Sequence, residues 1–270
     1  MTAPPRACLP ITSTIRLKRL TITTDEQLEK LKAIGRICAV ARDAMAAAMI
    51  PGMTTLELDE IGAKILAENG ALSAPIVTYD FPGHTCISVN EEIAHGIPGD
   101  RVLNEGDLVN IDVSAVKDGV FADCGASFVL GKGDPRLDAL CRDGKKAMWA
   151  GIRAAKAGAP IADIGTAIGK VAKKGGYTLI RNLASHGVGD SLHDEPGEIP
   201  TWPDRSERRK IGNGLVFTIE PFLSMGGQMA EQMYEDDEWT LTAEPLAPCV
   251  QYEHTVVATP RGALVVTLAA

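Results

Sequence analysis

The sequence predicts an α+β domain of two related halves packed around one central site, and three observations carry that prediction. First, PGMTTLELDEIGAKILAENGA at 51–71 is echoed by AGAPIADIGTAIGKVAKKGGY at 157–177, with opening glycines Gly52 and Gly158 and closing glycines Gly70 and Gly176 at equal separation. A unit that recurs once is not a solenoid, whose repeats must stack in series to bury a core; it suits a pseudo-twofold domain. Second, runs rich in Val, Ile and Phe flank Asp118-Gly119 within NIDVSAVKDGVFADCG (110–125), the strongest short signal for a two-residue hairpin. Third, Thr24 with Gln27 and Thr54 with Glu57 have the spacing of helix-capping boxes ahead of amphipathic stretches.

Taken in order, residues 1–23 hold Pro4, Pro5 and Pro10, several Thr and four basic side chains without periodicity, and read as an extended N-terminal arm. Residues 24–270 read as a single domain made of the two halves. From Thr24, the apolar positions Leu28, Leu31, Ile34, Ile37 and Cys38 mark one face of a long helix that runs to Met49 and is broken by Pro51-Gly52. A second helix from Thr54 closes near Asn69-Gly70. With Asp118 and Gly119 as the central turn residues, Lys117 faces Val120, Ser114 faces Asp123 and Asp112 faces Gly125. The second half contributes strands near 178–184, 214–220 and 249–257.

Composition bounds the function. With 270 residues, 45% hydrophobic and 23% charged, the chain has an ordinary globular balance and enough length for one large core. A net charge of -8 and a pI near 5.2 argue against nucleic acid or an anionic membrane as a partner, local patches aside. Six scattered cysteines (Cys8, Cys38, Cys86, Cys124, Cys141, Cys249), with no CxxC pair and no signal peptide, predict reduced thiols and a cytoplasmic protein. The longest unbroken apolar run, Ala44 to Ile50, is far short of the roughly 20 residues of a membrane span. No heptad or apolar stripe stands out, so a monomer is expected.

The hairpin register places Asp112 and Asp123 on one face as diagonal neighbours. Two such carboxylates repel, and they persist by sharing a proton, by lying open to water, or by holding a cation between them. Apolar neighbours Ile111, Val113, Val120 and Phe121 place the pair in a sheet within a large core, which favours the cation. The chain has five histidines, His84, His95, His186, His193 and His254; His95 and His186 each precede a glycine, which lets backbone approach a small site closely. Glu220 ends the run LVFTIEP, where Pro221 stops the strand and a carboxylate needs a partner. Glu253 lies in VQYEHTVV, and strand alternation sends His254 to the opposite face. Asp112, Asp123, His186, Glu220 and Glu253 together make four carboxylates and one imidazole, a set that two divalent cations would neutralise.

These motifs (HGIP from His95, NIDV with Asp112 and Asp123, HGVG from His186, FTIEP at Glu220, QYEHT at Glu253) resemble, in the same order, those of type I methionine aminopeptidases over roughly residues 25–268. The resemblance implies the pita-bread fold of aminopeptidases and creatinase, a central curved antiparallel sheet flanked by helices. About 26 residues lie between His193 and Glu220, too few for the helical insertion of type II enzymes. By the same resemblance, Asp112 binds one metal, Asp123 and Glu253 bridge two, and His186 and Glu220 complete the second site. His95 and His193 then hydrogen-bond the scissile peptide, Glu220 helps to move the proton, and Phe81, Cys86 and Trp239 line an apolar pocket for the methionine side chain. The implied activity is that of a metalloexopeptidase removing initiator methionine from nascent chains with a small second residue. It brings with it two divalent ions (Co, Mn, Fe or Zn) and docking near the ribosome. Oxygen-rich ligation suits several of these metals, and affinity order alone does not choose among them.

The chain departs from the family pattern at several points. Relatives carry Gly where Ser185 precedes His186, an aromatic where Leu192 precedes His193, and Thr-Ser where Cys124-Gly125 follows Asp123; His84 and Pro75 also differ beside the pocket. None of these removes a ligand. The arm holds only Cys8, so the paired zinc fingers of some eukaryotic relatives are absent and the chain looks bacterial in type. Two rival readings share the motifs. An X-Pro aminopeptidase of the same fold would keep the five ligands and usually adds a large N-terminal domain, whereas a non-catalytic binding module would have lost ligands. A bare glycosidase pair explains neither His186 nor Glu253.

Overall fold

The computed structural model describes residues 20–269, so the expectation for the first 19 residues of the arm lies outside the described residues. Both capping boxes form. Thr24 Oγ1 accepts from Gln27 N at 3.2 Å and opens α1 (Asp25–Ala48); Thr54 Oγ1 accepts from Glu57 N at 3.1 Å and opens α2 (Thr55–Glu68). The chain continues through β1 (Leu72–Ser73), α3 (Ala74–Tyr79), β2 (Cys86–Val89) and β3 (Glu92–Ala94). The hairpin of β4 (Leu108–Lys117) and β5 (Val120–Val129) follows, with Lys117 opposite Val120, Ser114 opposite Asp123 and Asp112 opposite Gly125. Asp118 (φ 51°) and Gly119 (φ 77°) are both left-handed, as a primed turn requires.

After the hairpin come α4 (Pro135–Ala154) and α5 (Ala162–Gly175), then β6 (Thr178–Leu179), β7 (Ser185–Gly187), β8 (Asp194–Ile199) and β9 (Val216–Ile219). The last strands are β10 (Phe222–Ser224), β11 (Met229–Tyr234), β12 (Asp237–Glu244), β13 (Cys249–Gln251), β14 (His254–Thr259) and β15 (Gly262–Val265). Every strand pairing among the described residues is antiparallel. The largest sheet runs β15-β14-β9-β7-β8, and a second joins β1, β4 and β2 with β5 paired to β4.

Two main cores form, one for each helix pair. Leu31, Ile34 and Met45 of α1 and Leu58 of α2 pack on Ile111 and Val113 of β4. Leu140 and Met148 of α4 and Ile164 and Ile168 of α5 pack on Phe217 and Ile219 of β9 and Val256 of β14. The echoed glycines share a backbone role: Gly52 and Gly158 have φ of 93° and 86°, and Gly70 and Gly176 have 65° and 75°. This arrangement suits the reading of two related halves.

Two expectations change. The stretch 249–257 is not one strand: β13 and β14 belong to different sheets, because Glu253 N turns to Gly125 O (2.8 Å) and Tyr252 Oη donates to Ser127 O (2.6 Å). Of 178–184, only Thr178–Leu179 is strand, paired to β10. The described end of the arm is tied down: Ile22 N donates to Gly214 O (2.8 Å) and Leu20 is buried against Gly189.

Gly165 of α5 lies so close to the following segment that a Cβ there would fall 2.1 Å from Trp202 O. Gly165→Ala is expected to cost about 1–3 kcal/mol through overpacking. For a chain of this size that is a fall of several degrees in melting temperature, with metal affinity unchanged; a calorimetric scan with a metal titration checks both.

Candidate metal centre

The site forms where the two main sheets meet. Asp112 of β4 and Asp123 of β5 project from the hairpin; His186 is central in β7; Glu220 follows β9; Glu253 stands in the break between β13 and β14. Asp123, His186 and Glu253 each offer a ligand atom, and these atoms lie within 4.8 Å of one another. His186 Nε2 is 3.3 Å from Glu220 Oε1. Asp112 joins through Gln251, whose Nε2 donates to Asp112 Oδ2 (3.2 Å) and Glu253 Oε2 (2.9 Å). All five residues singled out by sequence therefore converge.

The surroundings orient each ligand. His186 Nδ1 lies 2.9 Å from Gly187 O, an acceptor, so Nδ1 carries the proton and Nε2 keeps its lone pair toward the carboxylates. Thr218 Oγ1 accepts from His186 N (3.0 Å) and spends its own proton on Glu220 Oε1 (2.7 Å). Ser185, one of the departures, accepts from Glu220 N through Oγ at 2.9 Å. Asn110 Nδ2 donates to Gln251 Oε1 (2.9 Å), which turns the Gln251 amide so that its NH2 faces the carboxylates. A Cβ at position 125 would fall 2.1 Å from Gln251 Oε1, so Gly125, another departure, leaves the space this amide occupies.

Asp123, His186, Glu220 and Glu253 are buried, and Asp112 is half-buried. Burial raises the Asp112 carboxyl, against hydrogen bonds from Asp123 and Gln251 that lower it. Burial, with Asp112 and Glu220 alongside, pushes Asp123 well above the usual carboxylate range. Glu220 and Glu253 are pushed well up for the same leading reason, with carboxylate neighbours adding to it. Burial takes His186 down to about 4, so its imidazole is neutral.

Three buried side-chain oxygens lack a hydrogen-bond partner among the described residues, and two of them, Asp123 Oδ1 and Glu253 Oε1, belong to this cluster. Buried acceptors left bare are costly, and a cation relieves that cost together with the mutual repulsion. Four carboxylates and one neutral imidazole suit a borderline divalent ion. The residues fit a divalent metal.

His95 and His193 stand beside the cluster. His95 has φ 56°, and the next residue, Gly96, packs so tightly that a Cβ would meet Ile87 O at 2.3 Å, which holds the backbone in this left-handed state. The His193 ring lies 4.1 Å from the His186 ring, with its Nδ1 against the Tyr79 hydroxyl. Partial enclosure by the cleft, with His186 and His95 adding to it, holds His193 well below its ordinary value even though part of the residue faces solvent.

Of the sequence-expected pocket residues, Phe81 and Trp239 meet edge-to-face at 5.2 Å, while Cys86 is buried opposite Asp112 in the β2–β4 pairing. Burial, with Asp112, Asp123 and Asp59 nearby, raises the Cys86 thiol well above its usual range, so it stays protonated. The loop carrying His84 is pinned by buried Asp59, which accepts from His84 N (3.0 Å) and Thr85 N (2.8 Å). His84 itself is exposed, whereas Pro75 and Leu192 are buried. His254 lies apart, with Nδ1 2.8 Å from Thr267 Oγ1 and its ring 5.6 Å from Trp149.

Sequence reasoning passed over Gln251, Thr218, Asp59 and Tyr79. For Gln251 and Thr218 a signal was there, since each precedes a candidate glutamate by two residues and extended chain puts such pairs on one face. For Asp59 and Tyr79 no local pattern announced the contact.

A profile of metallopeptidase family M24 matches residues 29–260. The chain is 44% identical to a methionine aminopeptidase of Staphylococcus epidermidis over 247 residues, 91% of this chain and 98% of that protein. It is 45% identical to methionine aminopeptidase 2 of Bacillus subtilis over 248 residues, again 91% and 98%. In three dimensions it is similar to the crystal structure of a methionine aminopeptidase from Rickettsia prowazekii, with a TM-score of 0.87, 31% identity, and coverage of 92% of this chain and all of that one. The fold anticipated from the motifs is the one this solved structure has.

Proposed function

The chain belongs to metallopeptidase family M24 and, within it, to the methionine aminopeptidases, and on that premise we propose that it hydrolyses the bond after an N-terminal methionine when the second residue is small. The observation that most directly supports a hydrolytic metal centre is the pair of bare, buried oxygens, Asp123 Oδ1 and Glu253 Oε1, inside a cluster of four carboxylates and a neutral histidine.

In this reading Asp112, Asp123, His186, Glu220 and Glu253 hold two divalent cations, whose charge balances the four carboxylates. Bound there, they would supply Lewis acidity, making water a nucleophile near neutral pH and polarising the scissile carbonyl. Asp112, nearest to solvent of the four carboxylates, receives the free amine of the substrate. Phe81, Cys86 and Trp239 take the methionine side chain and exclude water around it. His95 and His193 hydrogen-bond the peptide being cleaved. The Glu220 carboxylate, with Oε1 held by Thr218, carries a proton from the attacking water to the departing amine. A site that holds both the amine and the first side chain acts only at the chain terminus, so the activity is that of an exopeptidase.

The substrates are nascent polypeptide N-termini, reached near the ribosome in the cytoplasm by a monomer. At a net charge of -8, docking there uses a local patch rather than the overall field. No helix among the described residues is long and apolar enough to cross a membrane.

Hydrolysis of two tripeptides by the metal-loaded protein tests the proposal. Met-Ala-Ser is expected to be cleaved faster than Ala-Pro-Ala by roughly two orders of magnitude or more, because Ala leaves the methionine pocket unfilled. The reverse preference would make the protein an X-Pro aminopeptidase. Binding of about two metal ions per chain without cleavage of either peptide would make it a binding module.

A further inference from the structure

We propose that Tyr79 is a positioning residue for His193: its phenol hydroxyl donates to Nδ1 and so fixes the neutral tautomer that carries its proton on Nε2. The consequence drawn for catalysis rests on the role given to His193 under the proposed function. Nothing in the family motifs or the ligand set points to Tyr79.

The contact joins distant parts of the chain. Tyr79 is the last residue of α3, which ends because Asp80 turns left-handed at φ 56°. From there its hydroxyl reaches Nδ1 of His193, 114 residues away, and the two rings pack at 5.5 Å with planes inclined by 46°. The His193 ring also lies 4.1 Å from the His186 ring. The imidazole thus packs against two rings, with one nitrogen committed to a specific partner.

The direction of that hydrogen bond follows from the groups involved. A phenol O–H is a good donor and its oxygen a weak acceptor, because the lone pair is delocalised into the ring, whereas an unprotonated imidazole nitrogen accepts well. Tyr79 therefore donates, Nδ1 accepts, and the single proton of neutral His193 resides on Nε2. His186 shows the opposite arrangement, since Nδ1 donates to Gly187 O and leaves Nε2 bare to serve as a ligand. Two neighbouring neutral imidazoles are set to different tasks by different partners: one presents a lone pair to a cation, the other an N–H to a carbonyl oxygen.

The backbone beneath His193 is already rigid. Buried Asp194 accepts from the backbone N–H groups of Asp190 (2.8 Å) and Ser191 (3.2 Å), and Ser191 Oγ lies 2.8 Å from His193 O. Those contacts fix where the side chain starts but leave ring rotation and tautomer open. Tyr79 supplies the missing restraint.

Tyr79→Phe tests this directly, since it keeps the ring and removes one oxygen. In histidine-labelled protein, nitrogen NMR is expected to report His193 Nδ1 as unprotonated with Tyr79 present and as a mixture of tautomers in the Phe variant. Turnover of Met-Ala-Ser is expected to fall about tenfold in kcat, with KM changed by less than about twofold and the affinity for Mn(II), by calorimetry, unchanged. In a His193→Ala background the same substitution is expected to change kcat by less than about twofold, because its effect passes through the imidazole. A protonated Nδ1 in the unmodified protein overturns the proposal. So does an unchanged kcat in Tyr79→Phe, or an equal loss with and without His193. If His193→Ala alone leaves kcat intact, the role assigned to His193 fails instead, and the tautomer measurement by itself decides whether Tyr79 sets the ring.

Discussion

Asp123→Asn is expected to lower kcat/KM for Met-Ala-Ser by at least about 1,000-fold while making the metal-free protein more stable. The first effect follows from losing an anionic ligand at the centre of the cluster: several kcal/mol of charge stabilisation are at stake, and about 4 kcal/mol corresponds to roughly three orders of magnitude in rate. The second has the opposite sign because, without cations, Asp123 is a buried carboxyl raised by burial and by Asp112 and Glu220, with Oδ1 lacking any partner. An amide carries no charge to desolvate, and its NH2 can donate to the Asp112 carboxylate. A gain on the order of 1 kcal/mol, or roughly 2–4 °C for a chain this long, is expected in a thermal scan under chelation. Loss of activity accompanied by loss of stability would mean that Asp123 supports the fold rather than a metal.

Chelation is expected to lower the melting temperature, and by more at pH 8 than at pH 6. Asp112, Asp123, Glu220 and Glu253 all have folded-state values above their ordinary ones. Carboxyls raised in this way contribute stability below their unfolded values, near 4, and lose it as pH climbs through the folded values. His186 acts in the opposite sense: lowered to about 4, it contributes fully above its unfolded value near 6.5 and loses that contribution as pH falls. Above about pH 6.5 the His186 contribution is complete and no longer opposes that of the carboxyls. Cations replace the protons on those carboxyls, and binding tightens as the protons leave. At a metal concentration 100-fold over Kd the gain is about 2.7 kcal/mol, several degrees here. Scans of Mn-loaded and chelated protein from pH 6 to 8 check the trend, and a gap that narrows as pH rises would exclude these four carboxyls as the metal-binding set.

How far the chain could be read before folding is clearest at the hairpin. Asp118-Gly119 permits one turn with both residues left-handed, so the opposition of Asp112 to Gly125 and Ser114 to Asp123 follows from counting. The capping boxes at Thr24 and Thr54 were equally legible, since each is completed within four residues. The 249–257 stretch was not: its apolar alternation reads as one strand, but Glu253 N is drawn to Gly125 O and the chain changes sheets there. That break is what turns Glu253 into the cluster.

The sequence by itself determined which side chains are available for a metal and, for Asp112 and Asp123, the hairpin on which they sit, because turns, caps and strand alternation act over a few residues. Tertiary structure alone decided the chemical state of each: that Asp123 Oδ1 and Glu253 Oε1 are bare, that Gln251 ties Asp112 to Glu253, and that His186 and His193 protonate on different nitrogens. Those outcomes depend on the burial and the side-chain placement that only the folded chain supplies, where the cost of every unmet hydrogen bond and every uncompensated charge rises.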